Sequence, residues 1–145
     1  MAWVILAGPS AWPGIFVGAF ALEVWALKHS DPTLSLYLCL LSATLLAFGS
    51  TAQALLIRHL IVRYVGAKNL FQRASHILRY LSVLLVSCVC ASSLGALTLC
   101  WLDLAPWSSL HEIWVSWWLG DVVGGLTFGS LILIWAETRF RPHWE

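Results

Sequence analysis

Apolar residues fall into four long runs, separated by short polar interruptions. The first, Ala2 to Leu27, is broken by "GPSAWPG" at residues 8–14, where two prolines and two glycines oppose a regular helix. A helix is therefore predicted over 12–27, with Pro13 in its first turn and residues 2–7 as a short lead-in or the stub of an earlier span. The second run, Leu34 to Ile57, would be about 36 Å long as a helix, enough to cross a ~30 Å hydrocarbon core. The third, 77–102, is interrupted only by Arg79 and small polar residues, and the fourth, 113–136, contains Asp121. Pro142 opposes further helix beyond it. The pattern predicts an all-α integral membrane protein with about four transmembrane helices in a single domain, 1–145.

Composition agrees, since 60% of residues are hydrophobic, 10% are charged and the mean hydropathy is +0.83. The charge pattern sets an orientation. Arg58, Arg63, Lys68, Arg73 and Arg79 surround the loop between spans two and three, Arg139 and Arg141 follow span four, and only Lys28 lies in the alternate loops. Basic residues are retained on the cytoplasmic side, so both termini are expected there, in a multi-pass protein of a bacterial cytoplasmic membrane. Trp101, Trp107, Trp114, Trp117 and Trp118 gather at the opposite, outer boundary, where indoles favour the membrane interface. A net charge of +1 gives no reason to expect a nucleic-acid partner. The cysteines, all within apolar runs, read as small packing residues.

The fourth span carries the candidate chemistry. At 100° per residue Asp121 shares a face with Trp114, Trp117, Trp118, Gly124, Gly125, Phe128, Ile132 and Trp135, while Val115, Leu119, Val122, Leu126 and Leu133 lie largely opposite. The face with Asp121 is expected to meet protein, because a carboxylate is costly against acyl chains and glycines allow close helix approach. "GDVVG" and "GLTFG" give Gly120, Gly124, Gly125 and Gly129 as helix-packing positions, with Trp117, Trp118 and Gln53 beside them. Counted from the outer boundary, Asp121 lies ~12 Å deep, Glu23 ~6–8 Å, and Ser93 and Thr44 ~14 Å. These four are the candidate ligand-binding residues, lining a polar cavity for a cation, a proton or a small polar ligand. Alternatively, Asp121 caps the inner part of a helix broken at Gly120. Gln53, counted deeper, reads as an interhelical hydrogen-bond partner. No histidine pair is placed to grip a haem, no metal or cofactor site is indicated, and no catalytic nucleophile or phosphate loop is evident.

The stretch "WVSWWLGDVVGGLTFGSLILIW" resembles the terminal signature of the membrane-associated sensor domain of the first type, an input module of bacterial histidine kinases, diguanylate cyclases and related proteins. "AWPGIFVGAF" at 11–20, "GSTAQALL" at 49–56 and the basic stretch before the third span follow in the family's order. The family usually has proline at Ser130, asparagine at Glu23 and a glutamate close to Gln53, so the polar residues here differ. Its domain is longer, with additional N-terminal spans, and precedes a cytoplasmic output domain. The chain thus resembles the C-terminal half of such a sensor, without an output domain. The resemblance implies a non-enzymatic sensor that binds a small ligand, or packs against a partner, to transmit a signal. Membrane lipid and other integral membrane proteins are the expected partners. A structural subunit of a larger respiratory or photosynthetic complex is the alternative. A transporter or enzyme fits less well, because four spans with two carboxylates leave little room for a pathway.

Overall fold

The computed structural model describes residues 8–65 and 74–139. Gly8, with φ of +92°, turns the chain into a short 3-10 turn at Pro9–Ala11, and α1 follows at Trp12–Ser30. The break predicted from "GPSAWPG" is therefore present, and Pro13 occupies the first turn, where its missing N–H costs nothing. Residues 2–7 lie outside the described residues. Lys28 and His29 end α1 on the favourable side of its dipole, and the Lys28 ammonium donates to the Leu34 carbonyl across the turn.

Helix α2 spans Leu36–Leu60 and runs into a π-helical turn at Ile61–Val65. Ser35 caps its start, with Oγ accepting from the Leu38 amide at 3.3 Å. Helix α3 spans Ala74–Trp101 and ends through Asp103, whose φ of 53° reverses the chain so that the Leu104 amide reaches the Leu99 carbonyl at 2.9 Å. After a 3-10 turn at Trp107–Ser109 come α4 at Leu110–Gly124, a second π-helical turn at Gly125–Gly129 and α5 at Ser130–Arg139. There is no strand among the described residues.

Three stretches are long and apolar enough to cross a membrane: Leu36–Tyr64, Ile77–Trp101 and Trp107–Ile132. At 19 residues, or about 28 Å, α1 is nearly as long, but Pro13, Glu23 and Lys28 lower its hydropathy. Successive helices pack antiparallel. Phe16 meets the Phe48 ring edge-on with centroids 5.0 Å apart, joining α1 to α2, and the Cβ direction of Gly49 faces Leu94, joining α2 to α3.

The α2–α3 pair forms the centre. Its buried positions are graded by size. Toward the 31–35 and 102–109 connections, the outer end, Cys39, Ala43, Ala47, Ser92, Ala96 and Cys100 are enclosed; toward the other end the cluster is Ile57, Ile61, Tyr80, Val83 and Leu84. Small residues draw two backbones together but fill little space on either side. Larger ones fill the inner end, so open volume is left in the outer half. α1, by contrast, has no fully buried residue.

Candidate functional site

Helices α1 to α4 all border that open volume. A cavity of about 280 Å³ is lined by Glu23 of α1, Leu46 and Ser50 of α2, Ala91 and Gly95 of α3, and Ser116, Trp117, Gly120 and Asp121 of α4. Ser50, Ala91, Gly95 and Gly120 create it by being small. The two carboxylates that sequence places in separate spans thus face one chamber. A second cavity, of about 330 Å³, shares Glu23, Leu46 and Trp117 with the first and extends past Ser30, Asp31 and Leu104 to the outer connections. Trp117 stands where the two meet, and Gly95 makes room for it: a Cβ at Gly95 would lie 2.2 Å from Trp117 Cζ3.

Asp121 is held by Gln53, whose Nε2 donates to Oδ2 at 3.2 Å. The thiol of Cys88 lies beside both. Residue counting had set Gln53 deeper than Asp121, yet they meet at one level. The count falls short because α4 starts at Leu110, before the predicted 113, and follows directly on the turn at Trp107–Ser109, so Asp121 lies further along its helix than counted. Glu23 has no hydrogen-bond or ion-pair partner among the described residues.

Thr44 and Ser93 do not line this cavity. Thr44 Oγ1 donates to the Leu40 carbonyl of its own helix at 2.6 Å, and Ser93 Oγ accepts from Trp114 Nε1 at 3.0 Å. Ser50 and Ser116 supply the hydroxyls instead. The alternative of Asp121 as a cap on a helix broken at Gly120 does not hold either. Helix α4 continues through Gly120 to Gly124, and the irregularity comes later, at Gly125–Gly129.

The inward face of α4 is turned by about one residue from the expected one. Val122 is buried in the core cluster, and Gly125 and Gly129 pack on α3, whereas a Cβ at Gly120 or Gly124 would meet nothing within 4 Å. Phe128, Ile132 and Trp135 are exposed. A π turn takes more residues per revolution, so a count at 100° per residue drifts beyond Gly125. Three polar ties fix α4 to α3 at successive heights: Trp114 to Ser93, Trp118 Nε1 to the Leu85 carbonyl at 3.2 Å, and the Tyr80 hydroxyl to the Gly125 carbonyl at 2.8 Å. Trp114 and Trp118 stack, their rings 9° from parallel. Gly95 and Tyr80 escaped sequence reasoning. A glycine or tyrosine in an apolar run carries no mark of its partner, although the small-residue pattern around Gly95 was a signal for close packing.

A membrane domain helical throughout its described residues, with two carboxylates facing a chamber between its helices, fits a membrane-embedded input module. The chain belongs to the MASE1 family of membrane-associated sensor domains, whose model matches residues 1–145, its whole length. The family is a sensor and not a catalytic one. No curated protein and no solved structure matches the chain.

Proposed function

We propose that this sensor domain is non-enzymatic, that it binds a small polar ligand between Glu23 and Asp121, and that binding alters helix packing read by a partner. The observation that carries this reading is the convergence of the two carboxylates, from α1 and α4, on one cavity of about 280 Å³. Intramembrane carboxylates are expensive to maintain and mark functional sites more often than structural ones. Gln53 keeps Asp121 oriented, while Glu23 is left available.

The full chain in lipid nanodiscs is to be screened against polar metabolites by thermal shift, alongside Asp121→Asn and the cavity-filling Ser50→Leu. At least one compound should raise the wild-type melting temperature and leave both variants unmoved. Identical responses of all three proteins across the screen would remove the cavity as the site.

Packing against another membrane protein is a second reading, favoured by one feature. Gly124, outside the chamber, has nothing against it among the described residues, and Phe128, one turn on, is exposed, as a surface for a further helix would be. Gly124→Leu should then abolish co-migration with any stoichiometric partner on native gels while leaving the melting temperature unchanged.

A further inference from the structure

The lining of the chamber is chemically one-sided. Two carboxylates, two hydroxyls and an indole border it, and among the described residues no Lys, Arg or His does. Glu23 brings an acceptor without a donor among the described residues, and Gln53 reaches only Oδ2 of Asp121. A group that carries positive charge answers this deficit; an anion would meet two like charges in a setting of weak screening. The choice between a metal ion and an organic cation follows from geometry. Hard metal ions need several oxygen ligands at about 2.3–2.6 Å. Among the described residues no group of three or more Asp, Glu, His or Cys is arranged to hold one. The volume, about 280 Å³, exceeds what a bare ion fills.

Trp117 supplies what an organic cation uses and a hydrated metal ion does not. Its indole lines both the chamber and the vestibule above it, next to Glu23 in each, and Gly95 lets the ring sit close to α3. An aromatic face beside carboxylates is the general means of holding an ammonium group. We infer that the chamber takes a small organic ammonium ion, its cationic head between Glu23, Asp121 and the Trp117 indole. This rests on the ligand-binding reading above and narrows it to one chemical class.

Equilibrium binding to the full chain in nanodiscs tests it, with choline and tetramethylammonium as probes, 3,3-dimethylbutan-1-ol as the neutral isostere of choline, and sodium and potassium as metal ions. Choline should bind at least about tenfold more tightly than the isostere. Trp117→Leu should weaken it by about five- to thirtyfold, and Trp117→Phe much less, since the π face is retained. Glu23→Gln removes charge from a helix with no fully buried residue and should weaken binding without lowering the melting temperature. Equal binding of choline and its isostere, equal effects of Leu and Phe at 117, or competition by sodium or potassium would overturn the ammonium assignment. An anionic or neutral metabolite that binds in an Asp121-dependent way would overturn it and leave the sensor reading standing. Failure of choline and tetramethylammonium to bind would overturn the ammonium assignment, and failure of the metabolite screen as well would remove both.

Discussion

Asp121 and Gln53 show how a single polar pair sets terms for its surroundings. The amide, only 2% exposed, is costly to bury alone and the carboxylate more so, and each is the other's partner. Gln53→Leu should lower stability by about 0.5–2 kcal/mol in a micellar unfolding assay, the usual range for interhelical hydrogen bonds in membranes. Gln53→Leu combined with Asp121→Leu should recover most of that loss, because no orphaned group remains. Asp31, in the outer connection, is a simpler case. Its carboxylate accepts from the Thr33 hydroxyl at 2.6 Å and the Thr33 amide at 2.9 Å, and these bonds, the hydroxyl first, hold it below the usual aspartate range. Because the folded value is the lower one, the turn keeps its full stability above the ordinary aspartate value and loses it as pH falls through the lower, folded one. Thr33→Val should move the Asp31 titration, followed by NMR, back upward. Asp121 stood out in the sequence because an ionisable residue in an apolar run is rare. Its pairing with Gln53 did not, since relative depth depends on where each helix begins.

Among the elements, α4 with its π turn is the most informative. The same glycine pattern serves opposite ends one residue apart. A Cβ at Gly125 would lie 2.5 Å from Leu84 Cδ1, while one at Gly124 meets nothing. Gly125→Ala is expected to destabilise by about 1–3 kcal/mol through overpacking. Gly124→Ala should be neutral or stabilise by up to about 1 kcal/mol through helix propensity. Equal melting temperatures for the two variants would contradict this orientation of α4. The helices themselves were legible from hydropathy: those predicted at 12–27, 34–57 and 77–102 appear at Trp12–Ser30, Leu36–Leu60 and Ala74–Trp101, although α1 is not apolar enough to stand among the three candidate spans. The facing of α4 was not. In a membrane protein apolar side chains suit lipid and core alike, so Val122 gives no sign that it is buried and Phe128 none that it is exposed. A π turn is also invisible to a helical count.

Across the whole molecule, the family assignment and the membrane-spanning character followed from features spread along the chain: run lengths, the Trp-Trp-Leu-Gly-Asp signature and the basic loop. A polar cavity bordered by Glu23 and Asp121 was expected from their depths, but its other walls were not, because they are an absence, produced where Ser50, Ala91, Gly95 and Gly120 from three helices face one another. The uneven charge of the connections predicts their sides. A membrane-impermeant maleimide should label Ser108→Cys in intact cells and Arg63→Cys only after lysis, in a background with Cys90 replaced. The reverse pattern would invert the topology and turn the vestibule inward.

The three rungs from Trp114, Trp118 and Tyr80 carry one more implication. Helices α3 and α4, with the π turn that follows, are tied by side-chain hydrogen bonds at three heights, while α1, with no fully buried residue, is held to α2 by apolar contacts such as Phe16 on Phe48. On the proposed reading, an occupant drawn to Glu23 and Asp121 at once would fasten the outer part of α1 to α4, adding a crosswise tie to a bundle otherwise stitched only between neighbours.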